Sequence, residues 1–339
     1  MQLKWGIIST GNCSSEFTNC LNSLSNEEHT IVAVAAQDFS RARAFAKKYK
    51  IPICYGTYEK LAKDRNVEIV HIGNLNIQHF EVSRLMLENG KHVLCEKPMT
   101  MNEKQTRKLI EIARERNLFL MEGIWSRCFP LYKELRTLLD QQILGEILYV
   151  SATFGKPLQH IDRIREKRLG GGTILDLGVY LIQFVQFVFR GLDALEVNAV
   201  GHSNEYGVDE SCSAVITFPG GKIANISSHS ALLLPNEAEI VGKKGRIVVP
   251  QFWCPLKLIT PMGTKHFDLP EVDPSIQFMS KFSKGYIYEI QEVWKCLKAG
   301  MIECPKMTHV ESIKLVQLMD KMRKDVGIVY PDDLVKITK

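Results

Sequence analysis

The first third of the chain alternates short apolar runs with stretches of helical periodicity, and this alternation constrains the fold more than any other feature. Mainly apolar strands are predicted at 3–8, 31–36, 68–72 and 92–95, and helices are predicted between them at 15–24, 40–49, 57–63 and 79–89. Such alternation predicts a parallel sheet with helices on both faces. Ligands bind these sheets beyond the carboxyl ends of the strands, so the segments after the apolar runs are the places to look for functional residues.

Beyond Ile147 the pattern changes to a repeat of two, which is typical of strands with one buried face. Strands are predicted at 147–154, 195–202, 212–218, 222–229, 237–242, 245–249, 256–260 and 264–268. Two turns, Pro219-Gly220-Gly221 and Gly242-Lys243-Lys244-Gly245, predict hairpins between neighbouring strands. This part of the chain is therefore expected to form a large, open, mainly antiparallel sheet, with a buried helix on one face.

These two patterns predict two domains. An α/β Rossmann domain that binds a dinucleotide is expected over 1–122. An α+β domain for substrate binding and dimerisation is expected over 123–339, and its C-terminal helix can pack back on the first domain. A chain of 339 residues is also longer than one hydrophobic core usually supports.

Composition narrows the functional class. The net charge of +5 is spread along the chain without a basic run, so nucleic acid is not an expected partner. The nine cysteines are odd in number and contain no Cys-x-x-Cys pair, which indicates reduced thiols in a cytoplasmic protein and no metal site. Met1 lies close before the first predicted strand, so no signal peptide is expected. The most apolar stretch, Val179–Phe189, is far shorter than a membrane span and predicts a buried helix, so no membrane partner is expected.

The turn after the first strand carries a reduced form of the dinucleotide-binding pattern Gly-x-Gly-x-x-Gly. Its three glycine positions hold Ser9, Gly11 and Ser14, so only the middle glycine, which lets the backbone approach the phosphates, is present. A predicted helix follows, and a helix N-terminus favours a pyrophosphate. We predict that Ser9, Gly11 and Asn12 contact a dinucleotide cofactor.

The end of the second predicted strand indicates which nicotinamide cofactor is bound. An acidic residue there usually holds the ribose of NAD, whereas an arginine holds the 2′-phosphate of NADP. Here the tip residue is the neutral Gln37, and Ser40 and Arg41 open the next helix, where a hydroxyl and a guanidinium can hold a phosphate. Asp38 favours NAD unless it caps that helix. We predict NADP, with Gln37, Ser40 and Arg41 beside its 2′-phosphate.

Two further segments fall at the carboxyl ends of predicted strands. Asn74 follows the run 68–72, and Glu96-Lys97-Pro98 follows the run 92–95. Because ligands of such sheets lie beyond these ends, Asn74, Glu96 and Lys97 are predicted to contact the cofactor.

Lys97 also has a chemical counterpart in Tyr180, which follows a run of three glycines at 170–172. Free tyrosine has a pKa of about 10, and an opposite charge within a few ångströms lowers that pKa by roughly 1–3 units. A tyrosine tuned in this way can take a proton from an alcohol near neutral pH. The alternative interpretation is a buried tyrosine and a surface lysine without a joint role.

With these residues placed, the chain resembles the glucose–fructose oxidoreductase / inositol dehydrogenase family of nicotinamide enzymes over essentially its whole length. Glu96-Lys97-Pro98 after a central strand is specific to that family at large. Tyrosine at position 180 is more discriminating, because many relatives carry histidine there. The resemblance also rests on Trp5-Gly6-Ile7, Val32–Ala36, Tyr55–Glu59, Phe119–Glu122, Trp125-Ser126-Arg127, Phe154-Gly155-Lys156, Asp176–Tyr180 and Trp253-Cys254-Pro255.

The resemblance implies a mechanism. Lys97 and Tyr180 would flank the substrate carbinol over the nicotinamide, and Tyr180 would take the hydroxyl proton while hydride passes to the cofactor. Asp176 would orient a substrate hydroxyl, and His79 would form part of the polar wall of the pocket. Trp125 and Phe154 would supply its apolar wall.

The implied activity is NADP-dependent oxidation of trans-dihydrodiols of aromatic compounds to catechols, of D-xylose and related pyranoses to the lactone, or of both. The implied assembly is a homodimer, which the alternation of apolar and polar side chains at 212–218 and 222–229 also favours, since it suits a contact between two sheets. Two alternatives stay open: an NAD-dependent sugar or inositol dehydrogenase, and a non-catalytic regulatory protein that binds NADP.

The chain departs from its closely similar relatives at two positions. They carry arginine where this chain has Gln37, and histidine where it has Asn76. The first change leaves the 2′-phosphate to Arg41 and Ser40, and the second alters a polar contact at the mouth of the pocket. A phenylalanine that lines the pocket in the family corresponds to either Phe278 or Phe282.

Overall fold

The computed structural model describes residues 1–335, which form two compact units. The first unit contains Met1–Thr100, Lys104–Trp125 and Leu269–Ser312. The second contains Met101–Glu103, Ser126–Asp268 and the chain from Ile313 onward. The predicted domain boundary after residue 122 stays a prediction; the compact units differ from it because the segment 269–312 returns to the first unit.

The elements alternate along the chain before residue 125 and become mostly strands after it. The strands are β1 (Leu3–Ile8), β2 (His29–Ala35), β3 (Ile53–Tyr55), β4 (Ile69–Ile72), β5 (His92–Glu96), β6 (Leu120–Gly123), β7 (Ile147–Gly155), β8 (Glu196–Ser203), β9 (Asp209–Phe218), β10 (Lys222–His229), β11 (Glu237–Gly242), β12 (Gly245–Pro250), β13 (Lys257–Thr260) and β14 (Gly263–His266). The α-helices are α1 (Asn12–Asn22), α2 (Phe39–Tyr49), α3 (Tyr58–Ala62), α4 (Asn76–Glu88), α5 (Glu103–Glu115), α6 (Pro130–Asp140), α7 (Asp162–Arg165), α8 (Val179–Val188), α9 (Tyr286–Lys298), α10 (His309–Asp325) and α11 (Pro331–Leu334).

The first unit is built on a six-stranded parallel sheet in the order β3-β2-β1-β4-β5-β6. All four residues of β4 and four of the five in β5 are buried, which requires cover on both faces and explains why apolar residues predominate in these strands. The strand order reverses between β1 and β4. Their carboxyl ends therefore border the crevice in which such sheets bind ligands, and the predicted Rossmann fold is confirmed.

The second unit is built on an eight-stranded sheet in the order β14-β13-β12-β11-β7-β10-β9-β8. Its neighbouring strands run antiparallel except β7 and β10, which run parallel. Both predicted hairpins are present, since β9 pairs with β10 and β11 pairs with β12 across the two turns. The predicted fold class, a Rossmann domain followed by an α+β part with a mainly antiparallel sheet, is confirmed.

Helix α8 packs against β7 and β10 and covers one face of this sheet. The longer stretch Lys167–Val188 is apolar enough, by length and composition, to cross a membrane, but 94% of its most apolar window is buried inside the protein, as in a core helix. Helix α6 is absent from the sequence-based expectations, although Pro130 in its first turn and the buried leucines at 131, 135 and 138 follow a helical pattern.

Candidate active site

The turn after β1 has the backbone that a dinucleotide site requires. Ser9 stands at the first glycine position of the pattern and adopts a φ of 81°, a conformation that glycine adopts at no steric cost. Its Oγ accepts a hydrogen bond from the Gly11 N–H at 3.1 Å, which holds the turn. Gly11 precedes α1 without a side-chain cap, and the first turn of α1, which begins at Asn12, contains no acidic residue. The N-terminus of α1 therefore fits a pyrophosphate.

Close packing at the end of β4 explains a second glycine. A Cβ at Gly73 would lie 2.7 Å from Ser14 Oγ, so only glycine lets β4 end against α1. The Ser14 hydroxyl donates to the Ile8 carbonyl at 3.1 Å, which ties the start of α1 to the end of β1. The crevice at the strand reversal is thereby fixed by main-chain geometry.

At the end of β2, Asp38 is the N-cap of α2. Its Oδ1 accepts the Ser40 N–H at 2.8 Å, the Ser40 hydroxyl at 2.6 Å and the Arg41 N–H at 3.3 Å. The hydrogen bond from the Ser40 hydroxyl, followed by that from the Arg41 N–H, lowers the pKa of the Asp38 carboxyl. The capping interpretation of Asp38 is therefore confirmed, and the Ser40 hydroxyl is engaged by it. Gln37 and Arg41 are both exposed.

Glu96, at the end of β5, lies in a buried hydrogen-bond network. Its Oε1 accepts the Tyr286 hydroxyl at 2.8 Å and lies 3.3 Å from His71 Nε2. Burial acts to raise the pKa of the Glu96 carboxyl. The hydrogen bonds from His71 and Tyr286 outweigh that effect and hold the pKa below its usual value. Glu96 is therefore a carboxylate at neutral pH, next in sequence to Lys97.

Aromatic rings surround this carboxylate. The His71 ring stacks on Phe17 of α1 with centroids 3.8 Å apart and planes 6° from parallel. The Tyr286 ring meets Trp125 at 4.9 Å and Phe17 edge-on at 5.7 Å. Trp125, predicted for the apolar wall, is thus linked through Tyr286 to Glu96.

His79 has both ring nitrogens on main-chain oxygens. Nδ1 lies 2.8 Å from the Pro98 carbonyl and Nε2 lies 3.2 Å from the Asn74 carbonyl. The Lys97–Pro98 bond is cis. Burial lowers the pKa of His79, so a neutral ring donates to one of these carbonyls at a time. His79 joins the segment after β4 to the segment after β5; its predicted place in the polar wall stays a prediction.

In the second unit, Tyr180 follows an irregular helical turn. Residues Ile174–Gly178 form a π-helical turn that runs directly into α8, and such turns are frequent at functional sites. Asp176 lies in this turn and pairs with Arg163 at 2.9 Å. Tyr180, 8% exposed, lies in the first turn of α8.

Tyr180 lies against an aromatic wall. Its ring meets Phe154 edge-on at 6.0 Å, and Phe154 stacks on Trp253 with centroids 3.9 Å apart and planes 14° from parallel. Lys156 Nζ lies 4.9 Å from the centre of the Trp253 ring and 5.4 Å from that of Phe154. The second unit therefore holds the Tyr180 phenol against a buried stack of aromatic rings, with the Asp176 carboxylate in the turn just before it.

Comparison with known proteins gives the family. Residues 3–124 match the model of the oxidoreductase family with an NAD-binding Rossmann fold, and residues 132–248 match the GFO/IDH/MocA C-terminal domain. This chain belongs to the GFO/IDH/MocA oxidoreductase family. The predicted resemblance is confirmed, and so is the prediction that the protein is a nicotinamide-dependent enzyme.

The curated relatives of this GFO/IDH/MocA enzyme match it from end to end. Trans-1,2-dihydrobenzene-1,2-diol dehydrogenase of Xenopus laevis is 42% identical over 332 residues, which cover 98% of this chain and 100% of the relative. The human protein of the same name is 40% identical over 334 residues, with 98% and 99% covered.

Solved structures with lower identity share the fold. KijD10, a 3-ketoreductase from Actinomadura kijaniata in complex with NADP and TDP-benzene, has a TM-score of 0.82 at 23% identity, over 97% of this chain and 99% of that one. Levoglucosan dehydrogenase, in complex with NADH and levoglucosan, has a TM-score of 0.83 at 16% identity, over 96% and 98%. One of these structures holds NADP and the other NADH, so the shared fold accepts either cofactor.

Sequence reasoning missed several residues around the candidate site in this GFO/IDH/MocA enzyme. Their positions along the chain carry no pattern of their own, although Trp253 and Lys156 lie inside segments that support the family resemblance. The residues that the structure adds are Phe17, His71, Lys156, Arg163, Trp253 and Tyr286.

One group within residues 1–335 has ligand atoms close enough to hold a metal ion. Glu292, Cys296 and Cys304 offer a carboxylate and two thiols, all within 4.8 Å of one another. Glu292 already pairs with Lys306 at 2.9 Å. This group contains none of the predicted site residues, and the expectation of no metal stays a prediction.

Proposed function

We propose that this protein oxidises trans-dihydrodiols of aromatic compounds to catechols with NADP⁺, and that it also oxidises D-xylose and related pyranoses. One observation carries the proposal: Tyr180 lies edge-on to Phe154, which stacks on Trp253, and Asp176 lies four residues before Tyr180. A proton acceptor, a hydroxyl-binding carboxylate and a flat apolar surface are what a cyclic diol requires. The full-length identity to trans-1,2-dihydrobenzene-1,2-diol dehydrogenases supports the same substrate.

The residues divide the chemistry between them. Tyr180 accepts the proton of the substrate hydroxyl, and Lys97 stabilises the phenolate form of Tyr180 that can do so. The bound nicotinamide supplies the acceptor for the hydride that leaves the carbinol carbon. The carbinol thereby becomes a carbonyl, which tautomerises to the catechol for a dihydrodiol and is the lactone for a pyranose.

Substrate orientation falls to the second unit. The carboxylate of Asp176, fixed by its pair with Arg163, accepts a hydrogen bond from the second hydroxyl of the diol. The Phe154 and Trp253 rings cover the face of the substrate ring. A cyclic diene-diol offers both a second hydroxyl and the flat face of its four diene carbons, whereas an acyclic polyol offers only the hydroxyl.

We also infer a preference for NADP⁺ over NAD⁺. The proposal rests on Arg41, which is exposed at the start of α2. Burial raises the pKa of the nearby Tyr58 hydroxyl, and the positive charge of Arg41 acts against that rise. Because Asp38 already engages the Ser40 hydroxyl, Arg41 carries the 2′-phosphate contact and Ser40 contributes less than the sequence predicts. The Gln37 side chain can add a neutral hydrogen-bond donor to the same phosphate.

A panel of substrates tests the proposal. Purified protein is mixed with NADP⁺ or NAD⁺ and with a trans-dihydrodiol, D-xylose, D-glucose or myo-inositol, and reduced nicotinamide is followed by absorbance. The highest kcat/KM is expected for the dihydrodiol with NADP⁺. Fastest turnover of myo-inositol with NAD⁺ would favour the alternative dehydrogenase. Binding of NADPH without turnover of any substrate would favour the regulatory alternative.

We further propose that the protein is a cytoplasmic homodimer that pairs through the open face of the second sheet. On this face β8, β9 and β10 expose apolar side chains, among them Val200, Val215 and Ile223. Polar pairs lie between them, such as Asn225 with the Tyr149 hydroxyl at 3.0 Å. A mixed surface of this kind suits a two-fold contact. Sedimentation equilibrium at micromolar protein tests it, and a mass near the 38.5 kDa of one chain with full activity would exclude the dimer.

A further inference from the structure

A buried carboxylate lies beneath the glycine run that precedes the Tyr180 helix. Asp209, the first residue of β9, is 1% exposed. Its Oδ2 accepts the Ile174 N–H at 2.6 Å, which is short for a hydrogen bond of this type and characteristic of a charge-assisted one. Ile174 is the first residue of the π-helical turn that contains Asp176 and continues into α8.

The glycine run is shaped to reach this carboxylate. Gly172 adopts a φ of +113°, and a Cβ there would lie 2.4 Å from Asp209 Oδ1 and 2.9 Å from the Tyr330 hydroxyl. The Tyr330 hydroxyl donates to the Gly171 carbonyl. The Tyr330 hydroxyl therefore holds Gly171, and the Asp209 carboxyl occupies the space that a side chain at position 172 would need.

The C-terminal helices hold Tyr330 in turn. The Arg323 guanidinium lies 5.1 Å from the centre of the Tyr330 ring, donates to the Met101 carbonyl at 2.9 Å, and pairs with Asp333 at 2.8 Å. These contacts leave Tyr330 1% exposed. Asp209 and Tyr330 together form a rigid support for the turn.

The turn needs this support because it has little of its own. The first N–H groups of a helical segment have no partner within it, and Thr173, which precedes the turn, provides no side-chain cap. Asp209, thirty-five residues away in sequence, supplies the missing acceptor. A shift of this turn moves Asp176 directly and the start of α8, with Tyr180, along with it.

We propose that Asp209 is a positioning residue, which fixes the backbone from which Asp176 and Tyr180 act. The inference rests on the proposed function, because it gives Tyr180 the role of base. A misplacement of about 1 Å in a catalytic group can lower a rate by roughly 10²-fold. Loss of the Asp209 contact should therefore lower kcat more than it changes KM or cofactor affinity.

The charge of Asp209 adds a pH-dependent readout. Burial raises the pKa of its carboxyl to about 7, against the opposing effect of the Ile174 N–H. The charged or titratable groups that face it are Arg323 of α10, the Tyr330 hydroxyl and the Cys212 thiol of β9. The charged form of Asp209, which accepts the stronger hydrogen bond from the Ile174 N–H, therefore predominates above pH 7 and is lost as the pH falls below 7.

The test compares Asp209→Ala, Asp209→Asn and the control Asp325→Asn. Asp325, at the end of α10, also accepts a backbone N–H within the second unit. Its donor is Ala199 of the edge strand β8, at 3.2 Å, and not a residue of the π-helical turn. Hydrogen exchange of residues 173–180, NADPH affinity by fluorescence, and kcat and KM for the dihydrodiol are measured from pH 6 to 8.

We expect Asp209→Ala to exchange faster at 173–180 and to lose roughly 10–10²-fold in kcat, with NADPH affinity unchanged. Asp209→Asn, which keeps an acceptor, should recover most of the loss and should lack the change in exchange rate near pH 7. Asp325→Asn should behave as wild type. If Asp209→Ala does not fold, the Asn variant and its pH series decide the question.

Three results would overturn the inference: unchanged exchange at 173–180 in Asp209→Ala, a pH dependence of that exchange in Asp209→Asn equal to that of wild type, or faster exchange in Asp209→Ala with wild-type kcat. Failure of the proposed function looks different. In that case Tyr180→Phe retains turnover, while the exchange data, which need no substrate, still report whether Asp209 holds the turn.

Discussion

The two units carry different kinds of candidate-site residues. In the first unit, the residues at the carboxyl ends of β4 and β5 are polar, buried and bonded to one another, with Glu96 held by His71 and Tyr286. In the second unit, Asp176 lies in the π-helical turn, and Tyr180, in the first turn of α8, lies against Phe154, which stacks on Trp253. The first region is a buried polar network, and the second combines a phenol and a carboxylate with buried aromatic rings.

This difference indicates which property of the enzyme a substitution in each region should change. Substitutions in the first region should alter cofactor binding and the stability of the network, because its polar groups face each other and the strand ends. Substitutions in the second should alter turnover and substrate preference.

Tyr180→Phe should have the largest effect. The substitution removes one oxygen and keeps the ring contact with Phe154, so folding should survive while kcat falls by roughly 10²–10⁴-fold, the usual worth of a positioned acid–base group. NADPH affinity, measured by fluorescence titration, should be unchanged. Tyr206→Phe, at an exposed tyrosine in the same unit, is the matched control. Near-normal turnover in the Tyr180→Phe variant would remove Tyr180 from the chemistry.

Arg41→Ala should have the next largest effect, confined to the cofactor. NADP⁺ carries the 2′-phosphate and NAD⁺ does not, and a hydrogen bond to a charged group contributes about 1.5–3 kcal/mol, which corresponds to roughly 10–150-fold in affinity. The dissociation constants of both cofactors are measured by fluorescence. Gln37→Arg should tighten NADP⁺ instead. An equal loss for NAD⁺ would place the phosphate contact elsewhere.

Much of the first region could be predicted from the sequence. Parallel strands that are buried on both faces produce continuous apolar runs, and the strands predicted at 3–8, 68–72 and 92–95 agree with β1, β4 and β5 to within one residue. Because strand ends meet at one edge of the sheet, the position of Glu96 and Lys97 followed from the order of elements alone.

The remainder depends on contacts between distant parts of the chain. Tyr286 reaches Glu96 across 190 residues, and Asp209 reaches Ile174 across 35, so neither bond leaves a local pattern. The π-helical turn leaves no local pattern either, since a spacing of four between Asp176 and Tyr180 is that of an ordinary α-helix. Even Ser9 departs from the glycine rule, because a hydrogen bond to its side chain holds the positive φ.

Phe154→Leu should have a moderate effect that depends on the substrate. The proposed contact between the Phe154 ring and the substrate ring is lost together with the stack on Trp253, and an aromatic contact contributes about 0.5–1.5 kcal/mol beyond its buried area, which is roughly 2–12-fold in affinity. KM for the aromatic dihydrodiol should rise by this factor, and KM for D-xylose should rise less. Phe189→Leu, where the ring meets Phe218 at 4.9 Å, is the control for a general loss of packing. Equal increases for both substrates would argue against a ring-stacking wall.

Tyr286→Phe should have the smallest effect on turnover and should instead lower the stability of the fold. The phenyl ring keeps its contacts with Trp125 and Phe17, whereas the Glu96 carboxylate loses one donor and retains His71. We expect a loss of about 1.5–3 kcal/mol in the free energy of unfolding, the range for a hydrogen bond to a charged group. Urea unfolding at several pH values measures it.

The pH dependence gives the sign of this last effect. The pKa of Glu96 is depressed in the folded protein, so its stabilising contribution is present above the ordinary carboxyl range and is lost as the pH falls through the folded pKa. The difference between wild type and Tyr286→Phe should therefore be largest near neutral pH and shrink in acid. Tyr55→Phe, which removes a hydroxyl that donates to Asp64 at 3.1 Å at a more exposed site, should cost less. A difference that is constant with pH would mean that the Tyr286 hydroxyl does not act through the charge of Glu96.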